Sequence, residues 1–187
     1  MSRTQGLYSV AQVRAFDAYA IAELGIPAYT LMRRAGEAGL RVLRTRWPTA
    51  SRIAVVCGGG NNGGDGYVLA RYARAAGLDV TVLAVVGRAY LRGDALRAAD
   101  EYLSGGGTVQ PFDATLLKNA EVLVDALMGT GLRESPRAEI AQAITAINAA
   151  GVPTLALDLP SGLDGDSGRG ARKAGRPGCP LGRGGRN

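Results

Sequence analysis

The sequence predicts an α/β fold, a three-layer α-β-α Rossmann-like sandwich around a mostly parallel sheet. Three observations carry that expectation. Apolar runs at 53–57, 80–86, 122–127 and 153–159 are continuous rather than alternating, the pattern of strands covered on both faces. Stretches compatible with helices, at about 65–76, 90–103 and 137–149, lie between them. A glycine-dense segment, GGGNNGGDG, follows the first run where such folds turn from strand to helix.

Two N-terminal helices precede the first strand. In SVAQVRAFDAYAIAELGIP, Val10, Val13, Ile21 and Leu24 fall near helical spacing, Ser9 and Gln12 form an S-x-x-Q capping box, and Gly25 and Pro27 supply the stop. A second helical pattern runs from about Tyr29 to Trp47 and ends at Pro48, with Trp47 as a packing residue. The weaker run TVQPF, at 108–112, is compatible with a further short strand. In open sheets of this kind ligands bind outside the carboxyl ends of the strands. Polar, glycine-bearing segments follow three of the four main runs: GGGNNGGDG, DALMGTGLRESP and DLPSGLDGDSG. Their convergence on one sheet edge is the functional signal.

Composition narrows the chemistry. A chain of 187 residues suits one domain with a sizeable core. No apolar run reaches the roughly 18 residues of a membrane span, and MSRTQGLYS has no signal-peptide core, so a cytoplasmic location is expected. Cys57 and Cys179 are far apart and form no recognisable metal or disulfide pattern; Cys57 reads as a core residue. The absence of histidine excludes Ser-His-Asp triads and the usual zinc sites, leaving acid-base work first to carboxylates. The net charge of +6 comes entirely from residues 169–187, which hold six bases and no acid, so the preceding body is neutral. That Gly/Arg/Pro-rich tail is expected to be disordered, and its composition is that of a GC-rich reading frame read out of register.

Gly58, Gly60 and Gly63 spell G-x-G-x-x-G, whose amides can hold phosphate oxygens. An ordinary dinucleotide site also needs an acid near the end of the second strand, where DVTVLAVVGR instead ends in Gly87 and Arg88. Asn61, Asn62 and Asp65, with Asp125 and Ser161 from the other loops, offer carboxylate, amide and hydroxyl oxygens suited to a hard cation, potassium or magnesium. The plainer alternative has Asp65 capping the next helix and the asparagines shaping a turn.

Taken together, GGGNNGGDGYVLAR, VDALMGTGL and ALDLPSGLDGDSG resemble, in order and separation, the signature of the NAD(P)H-hydrate epimerases, the YjeF N-terminal domain family. The opening VAQVRAFDAYAIAELGIPAYTLMRRAGEA is similar to that family's first two helices, and the resemblance covers residues 9 to 168. It implies an isomerase of cofactor repair, interconverting R and S epimers of hydrated NADH and NADPH (NADHX and NADPHX). An ADP- or ATP-dependent dehydratase, which accepts only S, then restores the cofactor. By the same resemblance Asn61, Asn62, Gly63, Gly64 and Asp65 bind the nucleotide. Gly129, Thr130, Gly131, Leu132, Arg133, Glu134 and Ser135 wrap its phosphates, and Asp158 contacts the substrate near the reacting ring. Asn62, Asp125 and Ser161 ligate K+, one ion per subunit. With no histidine available, Asp158 is the residue expected to assist release and return of the hydroxyl. A homodimer is also implied.

The chain departs from that pattern after SGLDGDSG, where family members continue with further strands, helices and a lysine-bearing segment. The domain therefore reads as residues 1–168, truncated, followed by the basic tail. Two competing functions remain at this point: a non-catalytic nucleotide-binding or dimerisation scaffold of the same fold, and nucleic-acid binding through the tail. The neutral body, with no aromatics interleaved among the basic residues, argues against the latter.

Overall fold

The computed structural model describes residues 6, 8–130 and 136–170. Helices α1 (Val10–Ala22) and α2 (Ala28–Arg46) precede β1 (Arg52–Cys57), α3 (Asn61–Ala75), β2 (Asp79–Ala84) and α4 (Gly93–Ser104). Then come β3 (Val109–Pro111), β4 (Val122–Ala126), α5 (Ala138–Ala149) and β5 (Thr154–Ala156). Short 3-10 turns at Arg88–Tyr90 and Ala114–Asn119 lead into α4 and β4. The strands lie in the order β3-β2-β1-β4-β5, every neighbouring pair parallel, which is the expected α/β class. The chain steps outward from β1 to β3 and then crosses back to β4, so strand order reverses between β1 and β4. The weak TVQPF run supplies β3 at one edge.

Alternate residues of each strand feed opposite cores, which is why the apolar runs are unbroken. Ile53, Val55 and Cys57 of β1 pack with Leu43 of α2, Tyr67 and Leu69 of α3 and Tyr102 of α4. Ala54 and Val56 join Leu83 and Leu123 against Ile140, Ile144 and Ile147 of α5. Each such fully buried side chain contributes about 1.5–3 kcal/mol relative to exposure. Trp47 packs at the margin of the first core, as a packing residue should.

One local expectation needs correction. Helix α3 begins at Asn61, four residues earlier than the sequence pattern suggests, so most of GGGNNGGDG is helix rather than loop. The reason is proximity. A Cβ at Gly63 would collide with the Gly58 carbonyl, and one at Gly66 would lie 2.6 Å from Ala126 Cβ and 2.9 Å from Cys57 Sγ. These glycines let the helix rest directly on the sheet. Helix α1 forms as expected. Its capping box forms, with Ser9 Oγ accepting from the Gln12 amide at 3.2 Å and Gln12 Oε1 accepting from the Ser9 amide at 2.9 Å. Its apolar stripe, however, does not enter the core: no residue of α1 is buried, and Ile21 and the following Leu24 are exposed.

Candidate functional site

The site grows from the carboxyl ends of β1, β4 and β5, at the point of strand reversal. Beyond β1 the Gly58 amide still donates to the Ala126 carbonyl at 3.0 Å, so the first loop starts tight against β4. Gly60 is the N-cap of α3 and no side chain caps that helix, which removes capping as the role of Asp65. In the first turn Asn62 carries both amide atoms buried and without a partner among the described residues. Leaving such groups unpaired costs about 1–3 kcal/mol, and native folds avoid it except where something else completes the bonding.

Asp125 is the penultimate residue of β4, in register with Val56 on one side and Ala156 on the other. It is 6% exposed, and Ser161, beyond β5, is 8% exposed. Asp125 Oδ1 accepts from Ser161 Oγ at 2.6 Å and from the Leu127 amide at 3.2 Å, while Oδ2 accepts from the Ser161 amide at 2.9 Å. The Ser161 oxygen in turn accepts from the Met128 amide at 2.9 Å. Counting lone pairs, Asn62 Oδ1, Asp125 Oδ2 and Ser161 Oγ each keep acceptor capacity. Burial raises the Asp125 pKa above the ordinary carboxylate range, against the pull of the Ser161 and Leu127 donors.

Asp158 sits just past β5 with φ 65°, the one non-glycine residue with positive φ among the described residues. Strained backbone of this kind is retained where the surroundings fix a side chain for use. Its Oδ2 accepts from the Thr130 amide at 2.6 Å. A Cβ on Gly129 would overlap that same oxygen, so glycine there makes room for the carboxylate. Asp158 is itself exposed, whereas Asp65 is only partly so. Burial, then the charges of Asp158 and Asp17, push the Asp65 carboxyl up to about 7.

Of the residues singled out by sequence, Asn61, Asn62, Gly63, Gly64 and Asp65 follow β1; Asp125, Gly129 and Thr130 lie at or after β4; Asp158 and Ser161 follow β5. All occupy one edge of the sheet. Gly131, Leu132, Arg133, Glu134 and Ser135 fall outside the described residues, as does the tail from residue 171 with Cys179. Sequence reasoning foresaw α1 as a helix but not its contacts with the site. Arg14 Nη2 donates to the Thr130 carbonyl at 2.7 Å, and the Val10 amide donates to Asp166 Oδ1 at 2.8 Å. No spacing signal links Arg14 to a carbonyl 116 positions away.

Fold and site together define a Rossmann-like α/β protein with a nucleotide-type strand–turn–helix at its strand reversal, lined by oxygen groups rather than by a ribose-binding acid. Comparison with known proteins narrows this. The chain belongs to the family described as YjeF-related protein N-terminus, whose family model matches residues 28–179. It is 48% identical over 162 residues to a protein of Coxiella burnetii named bifunctional NAD(P)H-hydrate repair enzyme Nnr, covering 87% of this chain and 33% of that one. To the NAD(P)H-hydrate epimerase of Pirellula staleyi it is 40% identical over 180 residues, covering 91% of this chain and 78% of the relative. The chain thus spans about a third of the bifunctional relative and most of the single-activity one. A crystal structure of a yeast protein superposes with a TM-score of 0.75 at 20% identity, covering 86% of this chain and 72% of that one, and shares the fold.

Proposed function

We propose that this chain is an NAD(P)H-hydrate epimerase, equilibrating the R and S forms of NADHX and NADPHX. The observation that carries the reading is the buried Asn62 amide, without a partner among the described residues, on the same sheet edge as the Asp125–Ser161 pair. One carboxylate, one amide oxygen and one hydroxyl oxygen make a low-charge, oxygen-only set, which fits a single K+ per subunit. When bound, potassium supplies a fixed positive charge beside an anionic ligand. Asn62, Asp125 and Ser161 hold it, and the Asn62 amide nitrogen is left to donate to the nucleotide. Asn61, Gly63, Gly64 and Asp65 bind the nucleotide along the first turn of α3, and the segment beginning at Gly129 and Thr130 wraps its phosphates.

Asp158 assists the proton transfers. Where the hydroxyl carbon adjoins the ring nitrogen, the hydroxyl gains a proton and leaves as water while the nitrogen lone pair closes a C=N bond. Water then adds to the opposite face and returns the proton. The S epimer passes to an ADP- or ATP-dependent dehydratase; relatives named bifunctional NAD(P)H-hydrate repair enzymes support a second repair activity working beside this domain. A homodimer and a cytoplasmic location accompany this reading, and no helix among the described residues is long and apolar enough to cross a membrane. Residues 1–168 are its domain.

The test is to mix the protein with heat-generated hydrates and follow the R to S ratio by chromatography. Exchange should accelerate over the spontaneous rate and depend on potassium. Asp158→Asn should lower it roughly 100-fold or more while nucleotide affinity is kept. Nucleotide binding with no acceleration by the wild type identifies a scaffold instead, and undiminished exchange in the variant removes Asp158 from the chemistry.

A further inference from the structure

The site is crowded with acids, yet the ligand is anionic. Asp17, Asp65, Asp125, Asp158, Asp164 and Asp166 lie on α1, on α3, at the end of β4 or beyond β5, on the side where a dinucleotide with two negatively charged phosphates must dock. Among the described residues Arg14 is a cation that meets the 127–130 segment, and α1, which carries it, lies before the stretch matched by the family model. Its side chain borders a cavity of about 250 Å³ together with Gly129, Thr130, Leu163 and Asp164. The guanidinium has five N–H donors, of which the Thr130 carbonyl takes one at 2.7 Å. Four other arginines are ion-paired: Arg88 to Asp100, Arg71 and Arg97 to Glu101, Arg52 to Glu121. Among the described residues Arg14 has no such carboxylate partner.

Helix α1 buries no residue, so the core does not require it in this position. Its two long-range side-chain hydrogen bonds, from Arg14 to Thr130 and from the Val10 amide to Asp166, both end on loops of the site. We propose that Arg14 is a substrate-binding residue: one N–H fixes the Thr130 carbonyl and the remaining donors grip the phosphates of the nucleotide. A planar, permanently charged fork suits that task better than an ammonium group. The proposal rests on the epimerase reading for the identity of the ligand.

Calorimetry on the full chain separates the two. The probes are ADP-ribose, which has the pyrophosphate and lacks nicotinamide, and reduced nicotinamide riboside, which has the ring and lacks phosphate. Arg14→Ala should weaken ADP-ribose roughly 10- to 100-fold and leave the riboside within about two-fold. It should raise KM for the hydrates with kcat nearly unchanged, and Arg14→Lys should recover part of the affinity. Because α1 lies outside the core, both variants should keep the wild-type melting transition. Equal ADP-ribose affinity in wild type and Arg14→Ala overturns the proposal, and so does an equal loss for both probes, the mark of a merely structural role. A wild type that binds neither probe overturns the epimerase reading as well.

Discussion

Asp65 is a half-buried carboxylate that accepts no hydrogen bond from the described residues, whereas Asp125 accepts three and Asp158 one. Its pKa rises from 3.8 to about 7 on folding. Between those values the folded state binds more protons than the unfolded one, so this group lowers stability progressively as pH rises toward 7, and no further above it. The full effect is on the order of 4 kcal/mol. In potassium-free buffer, denaturant midpoints should fall from pH 4 to pH 7.5 for the wild type and stay flatter for Asp65→Asn, which should be the more stable protein at pH 8. A variant no more stable there would mean that the charge is solvated after all. Gly129 gives a second prediction at this scale. Alanine would push the Asp158 carboxylate off its position, and a shift of about 1 Å can cost roughly 100-fold in turnover, so Gly129→Ala should lose epimer exchange while keeping its fold. The oxygen-bearing residues were legible as chemical types. Which of them lacks partners was not, because Ser161, which gives Asp125 two of its three hydrogen bonds, and Thr130, the donor to Asp158, come from segments remote in sequence.

Among the elements, α3 shows how packing overrides propensity. Glycine, asparagine and aspartate are the residues of turns, so a segment made of them reads as a loop. Here Asn61 to Gly66 form helix because the sheet beneath leaves no space for side chains at Gly63 and Gly66. Alanine for glycine inside a helix ordinarily stabilises by about 1 kcal/mol. At Gly63 the sign should reverse, since the Cβ would strike the Gly58 carbonyl, and the melting temperature should drop by several degrees. Gly60, the N-cap, has open space around its would-be Cβ and an extended backbone. Gly60→Ser should therefore be neutral or stabilise by a few tenths of a kcal/mol. The two variants, melted side by side, test the same idea from opposite sides. Helix α1 was legible through its capping box and stop signal, but its partners were not. An apolar stripe predicts burial, and only tertiary contacts reveal that this helix is tied to the site loops by Arg14 and Val10.

At the level of the whole molecule, alternation of apolar runs with helical stretches was enough to predict a parallel α/β sheet, because strands buried on both faces cannot alternate in polarity. Strand order was not readable, since nothing local in a strand says which neighbour it will have. Yet the order positions the candidate site: β4 lies directly beside β1 and β5 beside β4, so the start of α3 with Asn62, the end of β4 with Asp125 and the segment after β5 with Ser161 share one edge of the sheet. An ion held, as proposed, by residues so distant in sequence would couple those segments and bind only the folded chain. Potassium should then raise the melting temperature relative to choline at equal ionic strength. At about 100 times the dissociation constant the gain is about 2.7 kcal/mol, or several degrees for a chain of this size. Ser161→Ala removes one of the proposed ligands and the acceptor for the Met128 amide, so it should be less stable in choline and should lose the potassium response. A response as large as the wild type's in that variant would put the ion somewhere else, whatever the turnover assay shows.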